Sequence, residues 1–572
     1  MTLASTRGLC SDFRHSPAET RPAPQCPLKD DLTTDALKRF APMEVTREVR
    51  PIVLIRGFGG LDTEEERDLT HQGFNVGSHY PHKRGQNYIY PGLVLSMIRS
   101  KYGYHDATNT IGYYARAQSG IPDPLPEPVA GLPKSHFEGT VIVDPFSLEE
   151  MLERGIDMRR TLWVFRYYDL GSRTFDTYRQ ALMRAIELIQ DSVALQTGTR
   201  EAVNVIAHSM GGLIARDTLQ LGYKTTKAAH AAINKLVTLG TPHQGIAFQR
   251  LPRLDWLGLS AEDELEAFNP ETQADAGRPG SFKNLARSFD PRRLLCIVGT
   301  NYRDYMRISS LANRFSPLPG EGGLLYNRSD GLVKHSAAQI PGAYRTFVHK
   351  THGGYNSLVT ARESCEVAMR FLFGNTRMRV FLERAEVRQK SDRFGRDEVY
   401  VGLSVKARRL DFDLFHQSAA AENCYGPFSK PDLLDGTVTW AGEGRLMWEG
   451  FLDGTARPDG NSDIALRLSL YAGERDLTGI GFSDETLLQE PIYLQLRDTT
   501  GTFGMFSHPD MGFSDPASRR RGRELKAGSD GWRLDVGNER FTCTLRFEVD
   551  TIPPNGPPSP LKKTESIDPL LA

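Results

Sequence analysis

Short apolar runs punctuate the first part of the chain, wholly apolar at Ile52-Val53-Leu54-Ile55 and similar at Leu162-Trp163-Val164-Phe165, Val203-Asn204-Val205-Ile206, Leu236-Val237-Thr238-Leu239, Leu294-Leu295-Cys296-Ile297-Val298 and Thr346-Phe347-Val348. Runs of this length without alternation predict strands buried on both faces. Between them lie helical patterns. The clearest spans Thr174 to Leu195, where Leu182, Ala185, Ile186 and Ile189 recur at spacings of three and four. A further helix is expected from Ala361 to Phe373, with Gly374 as its stop. Strands alternating with helices imply a parallel sheet, the α/β class.

After Gly374 the period changes to two, as in Tyr400 to Val405, Ile464 to Leu470, Ile492 to Leu496 and Thr542 to Val549. Alternation broken by Gly, Asp and Pro turns predicts a smaller, all-β, sandwich-like part built of antiparallel strands. The expected organisation is a loose arm over 1–45, a catalytic domain over 46–374, a β-rich domain over 375–552 and a Pro-rich tail over 553–572. Within the catalytic domain, 61–160 is too long for a simple loop and reads as an inserted lobe. Its Phe74, His79, Tyr80, Tyr88 and Tyr90 either shape a pocket or serve as padding, and 246–290, with Trp256, Leu257 and Leu259, is a candidate lid.

A chain of 572 residues exceeds what one hydrophobic core usually organises, in keeping with two folded parts. Its 70 Lys plus Arg balance 71 Asp plus Glu, so no overall field favours nucleic acid as a partner. Arg519-Arg520-Arg521-Gly522-Arg523 is a dense basic run; a solvated loop is the expected reading, and peripheral contact with an anionic membrane the alternative. The six cysteines show no CxxC pair or His/Cys cluster, so free thiols and no metal or other cofactor are expected. No apolar leader opens the sequence and no apolar run approaches the roughly 20 residues that span a bilayer, which reads as a cytoplasmic location.

The strongest chemical signal is Val203-Asn204-Val205-Ile206-Ala207-His208-Ser209-Met210-Gly211-Gly212-Leu213: an apolar strand, a Ser flanked at two residues by small side chains, then a helix-compatible run. This is the pattern of a nucleophile elbow, whose tight bend lifts the hydroxyl clear. Ala207 stands where the common pattern has Gly, and a plain helix N-cap is the competing role for Ser209. His208 is read as a pocket-wall residue in contact with substrate. The second signal is Gly57-Phe58-Gly59-Gly60 after the first strand. Acyl transfer needs backbone N–H groups aimed at an oxyanion; Phe58 and Met210 are the expected donors, with Gly57 and Gly59 lining the substrate side.

These segments resemble lipases and esterases of the α/β-hydrolase superfamily, especially bacterial ones with AHSMGG at the elbow. Leu239-Gly240-Thr241-Pro242-His243-Gln244-Gly245 is similar to that group's LGTPHxG segment, while Arg56 departs from its usual HGxGG. The resemblance implies the order Ser, acid, His. It points to Asp330, in a DGxV-like segment, as the acid, and to His352, past the strand Thr346 to Val348 and before the last helix, as the base. Asp290 and Asp304 compete for the first role, His349 and His335 for the second. The implied activity is hydrolysis of a carboxylic ester, a lipid ester above others, through an acyl-enzyme on Ser209. An acyltransferase or amidase with the same residues, or a catalytically silent binding protein, are the alternatives.

Overall fold

The computed structural model describes residues 49–57, 91–119, 121–122, 124–171, 174–245, 285, 287–304, 328–353, 357–388, 397–435, 445–454, 463–476, 484–499, 502–514 and 522–552. Phe58, Gly59, the aromatic positions from Phe74 to Tyr90, the lid residues Trp256 to Leu259 and Arg519 to Arg521 therefore lie outside the described residues.

The strands of the first part are β1 (Ile52–Ile55), β2 (His105–Asp106), the hairpin pair β3 (Ile111–Ser119) and β4 (Glu138–Val143), β5 (Thr161–Phe165), β6 (Val203–His208), β7 (Ile233–Leu239), β8 (Leu294–Gly299) and β9 (Tyr344–Val348). Seven of them form one parallel sheet in the order β2-β5-β1-β6-β7-β8-β9. Every residue of β1, β5 and β8 is buried, as expected of strands covered on both faces. The two-residue β2 joins the edge, so the long segment after Gly60 contributes to this sheet.

Helix α1 (Pro91–Ile98) precedes β2, and α2 (Pro145–Glu153) follows the hairpin. The helix α3 (Phe175–Thr197) packs Leu182, Ala185, Ile186 and Ile189 into the core. Thr174 caps its start by accepting from the Thr177 amide, and Gly198 ends it in the left-handed conformation, φ 77°. After α4 (Met210–Asp217) and α5 (Thr226–Ala232) comes α6 (Arg362–Phe373). Gly374 does close α6, but with φ −63°: a Cβ there would lie 2.2 Å from the Arg370 carbonyl oxygen, so room rather than handedness calls for glycine.

Residues beyond Gly374 form two sheets in which every pairing is antiparallel. β10 (Thr376–Val387), β13 (Leu446–Leu452), β18 (Ala527–Gly528), β19 (Gly531–Gly537) and β20 (Phe541–Thr551) make one, ordered β13-β10-β20-β19-β18. The other, ordered β12-β11-β14-β15-β16-β17, holds β11 (Asp397–Ala407), β12 (Tyr425–Phe428), β14 (Ile464–Asp476), β15 (Asp484–Thr499), β16 (Thr502–His508) and β17 (Arg523–Glu524). Alternate residues of β20 are buried, Phe541, Cys543, Leu545 and Phe547 among them, the signature of strands with one covered face. The molecule is thus an α/β-hydrolase-type parallel sheet followed by antiparallel β-structure. Among the described residues, no helix is long and apolar enough to cross a membrane, and no cluster of His, Cys, Asp and Glu could hold a metal ion.

Candidate active site

The strand order reverses at β1: the chain goes to one side for β5 and returns to the other for β6. A crevice opens beyond the carboxyl ends of strands at such a switch point. All the chemistry-bearing residues leave the sheet at that edge. Gly57 follows β1, Ser209 follows β6, Gly240 follows β7, and His352 lies a few residues past β9.

Ser209 sits between β6 and α4 with φ 51° and ψ −125°, a conformation costly for a residue with a Cβ. The surroundings impose it. The Ser209 amide donates to Leu239 O at 3.0 Å, and its carbonyl accepts from Gly212 N at 3.0 Å. A Cβ on Gly211 would lie 2.3 Å from Arg56 O and 2.6 Å from Ile55 O, so only glycine lets α4 start hard against the end of β1. Ser209 occupies the N-cap position of α4, yet its side chain makes no capping bond. The hydroxyl is left for another partner.

That partner is His352. Its Nε2 stands 2.9 Å from Ser209 Oγ, and its Nδ1 2.8 Å from Asp330 Oδ2. An ionised carboxylate only accepts, so Nδ1–H donates to Asp330 and the Nε2 lone pair faces the serine O–H. Asp330 is almost wholly buried and its other oxygen is occupied as well: Oδ1 accepts from Leu332 N at 3.0 Å and Val333 N at 2.7 Å. The His352 amide donates to the Asp330 carbonyl at 2.9 Å, tying the two loops backbone to backbone.

Gly240 is the close neighbour of this pair. It has φ 55°, and a Cβ there would lie 2.8 Å from Asp330 Oδ2 and 3.1 Å from His352 Nδ1. Gly240→Ala should wedge the carboxylate from the imidazole and strain the backbone. We expect a loss of about 1–3 kcal/mol of stability and about 100-fold in turnover, measured by denaturant unfolding and by steady-state kinetics. A fully active Gly240→Ala would contradict this arrangement.

The competing residues are engaged elsewhere. Asp290 caps a short turn and pairs with Arg292 at 2.7 Å, and Asp304 accepts from Asn301 Nδ2 at 2.7 Å. His349 Nδ1 lies 3.2 Å from Thr300 Oγ1, with its ring beside that of His416. His335 is buried against Phe347.

The sequence reading makes His208 a wall residue in contact with substrate, but its ring turns toward the base. Nε2 is 2.9 Å from the His352 carbonyl oxygen, which can only accept, so Nε2 carries the proton. Burial, the nearby His352 and Arg56 push its pKa down to about 3, and it is neutral at physiological pH. A histidine in an unfolded chain titrates near 6.5. Between these values the unfolded chain binds a proton that the folded one refuses. The stability due to neutral His208 is therefore complete above about pH 6.5 and is lost as pH falls toward about 3. His243 and His335 are shifted down too, so the reading requires a comparison. The thermal midpoint of the wild type should fall more steeply on acidification than that of His208→Gln; parallel curves would remove His208 from the balance.

Gly57 runs against the bend at Ser209, where a Cβ would come within 2.7 Å of Ser209 Cβ and 2.8 Å of His208 Nδ1. Its carbonyl accepts from the Tyr167 hydroxyl at 2.9 Å and from Arg56 Nε at 3.3 Å. The Arg56 guanidinium in turn lies over the Tyr168 ring, 4.4 Å from its centroid. Sequence reasoning misses Tyr167 and Tyr168, and the only available signal is an aromatic pair at the carboxyl end of β5. Met210 begins α4, so its amide has no acceptor within the helix.

A family model described as a PGAP1-like alpha/beta domain matches residues 169–314, which contain Ser209. No curated protein matches the chain. Among solved structures, a candidate cell surface hydrolase from Lactobacillus plantarum WCFS1 is 11% identical, with 57% of this chain and 90% of that one covered and a TM-score of 0.23. The Drosophila C2-DSL-EGF1 structure is 7% identical, covering 30% of this chain and 67% of that one, with a TM-score of 0.16. Residues 169–314 are thus similar to a PGAP1-like α/β domain, and they include β6, β7 and β8 of the parallel sheet.

Proposed function

We propose that this protein hydrolyses carboxylic esters through an acyl-enzyme on Ser209. The observation that carries the reading is the chain Ser209 Oγ, His352, Asp330, joined at 2.9 and 2.8 Å at a bend where the Ser209 hydroxyl makes no capping bond. A serine hydroxyl is a poor nucleophile until a base takes its proton. In this reading His352 Nε2 takes that proton as Oγ attacks the ester carbonyl. The Met210 amide, with that of Phe58 as the expected second donor, donates to the carbonyl oxygen as it becomes negative. His352 then protonates the departing alcohol. Water, deprotonated by the same ring, releases the acyl group as a carboxylate. Asp330 holds the ring in the tautomer this needs and stabilises its charged form.

Lipid esters are the favoured substrates, on the resemblance to lipases, with acyl transfer or amide cleavage differing only in the acceptor or leaving group. An excess of a nitrophenyl acyl ester whose acyl group is removed slowly should release a burst of nitrophenol equal to the enzyme present, with the acyl mass found on the Ser209 peptide. An enzyme that neither hydrolyses nor acylates would overturn the proposal. Comparing ester, amide and alcohol-acceptor reactions by product analysis separates hydrolase from transferase.

A further inference from the structure

The loop joining β11 to its neighbour β12, residues 408–424, meets the parallel sheet at Phe347 of β9, near the loop that carries His352. Its contacts fall on both loops that supply Ser209's partners. On the acid side, Arg328, two residues before Asp330, donates through Nη2 to Gly426 O at 2.7 Å and Cys424 O at 3.3 Å. On the base side, the His416 amide donates to Phe347 O at 3.1 Å, and the His416 ring lies 5.3 Å from that of His349. Phe415 packs on Phe347, centroids 5.7 Å apart, while His335 of the acid loop packs on the same ring at 5.5 Å. Tyr302, past β8, donates to Glu422 Oε1 at 2.6 Å.

The loop is itself held firmly to the antiparallel sheet. Gln417 donates to Leu403 O through its amide and accepts from Leu403 N at 3.1 Å through Oε1, and its Nε2 donates to Asn423 O at 2.9 Å. Asn423 Nδ2 reaches back to His416 O at 2.7 Å. A rigid strut of this kind transmits position, because packed side chains and a satisfied hydrogen-bond network deform little.

We propose that the second, antiparallel part serves as a buttress for the candidate site, with residues 415–426 setting the separation of Asp330 from His352 and Arg328 as the positioning residue. The acid and base come from different loops, after β8 and β9, so their 2.8 Å contact depends on both loops having one frame. Arg328 ties the acid loop to the same short segment that His416 ties to β9. This rests on the Ser209 reading for its effect on turnover alone; the geometry it controls is the His352–Asp330 bond.

The test uses the full chain. Arg328→Ala should weaken the strongly downfield imidazole proton resonance of the His352 Nδ1–H···Asp330 bond, and slow turnover of an activated ester by about 10- to 100-fold with KM little changed. Arg328→Lys, which keeps a donor, should recover part of both. Tyr302→Phe, which removes a second tie without a buried charge, guards against a folding defect and should act in the same direction more weakly. The resonance reads the buttress even if the wild type hydrolyses no ester, a result that would sink the proposed reaction alone. An unchanged resonance in a folded Arg328→Ala protein would overturn the buttress.

Discussion

Ser209→Ala is expected to lower the turnover of an activated ester by about 10⁶-fold, because serine, base and acid act as a unit and the loss of the nucleophile disables all three. Binding should change little. The fold should survive, since the Ser209 hydroxyl makes no capping bond and the bend is held by backbone contacts to Leu239 and Gly212. A companion substitution separates strain from chemistry. Ser209→Gly removes the same hydroxyl but also the Cβ that makes φ 51° costly, so it should be more stable than Ser209→Ala by about 1 kcal/mol. Residual activity within tenfold of wild type would dismiss Ser209 as nucleophile, and equal stability of the two variants would dismiss the strain.

Asp330→Asn should cost about 10⁴-fold in turnover with little loss of structure. The reason lies in the other oxygen. Oδ1 accepts from the amides of Leu332 and Val333, so an asparagine must keep its carbonyl oxygen there and turn its NH₂ toward His352 Nδ1. Two donors cannot face each other, and the imidazole would shift its proton to Nε2. The ring would then donate toward Ser209 instead of accepting from it. The pH dependence distinguishes this from simple misplacement: raising the pH would not restore the base. A variant retaining a tenth or more of wild-type turnover would show that Asp330 does not set the tautomer.

How much of this was readable beforehand follows from the kind of force involved. The parallel strands announce themselves because burial on both faces writes an unbroken apolar run, as in Ile52 to Ile55. The bend at Ser209 is legible because its geometry demands small residues at fixed offsets, and Gly211 shows the demand directly. Asp330 and His352 are chosen on resemblance, since nothing local marks a carboxylate whose partner lies on another loop. β10 is harder to read because Arg377 and Arg379 alternate with Met378 and Val380 as on a solvated face, yet both arginines are buried, Arg377 paired with Asp550 at 2.7 Å. β2 is too short to carry a period. The Tyr167 hydroxyl on the Gly57 carbonyl, the turn of His208 toward His352 and the Arg328 tie are contacts across 98 to 144 residues of chain, which leave no pattern in sequence.

The most direct measurement is labelling by a fluorophosphonate, with the modified peptide located by mass spectrometry in the wild type, His352→Ala and His349→Ala. The wild type and His349→Ala should carry the adduct on Ser209 and acquire it at similar rates, while His352→Ala should remain essentially unlabelled over the same period. Labelling of His352→Ala at the wild-type rate, or an adduct on a residue other than Ser209, would contradict the account.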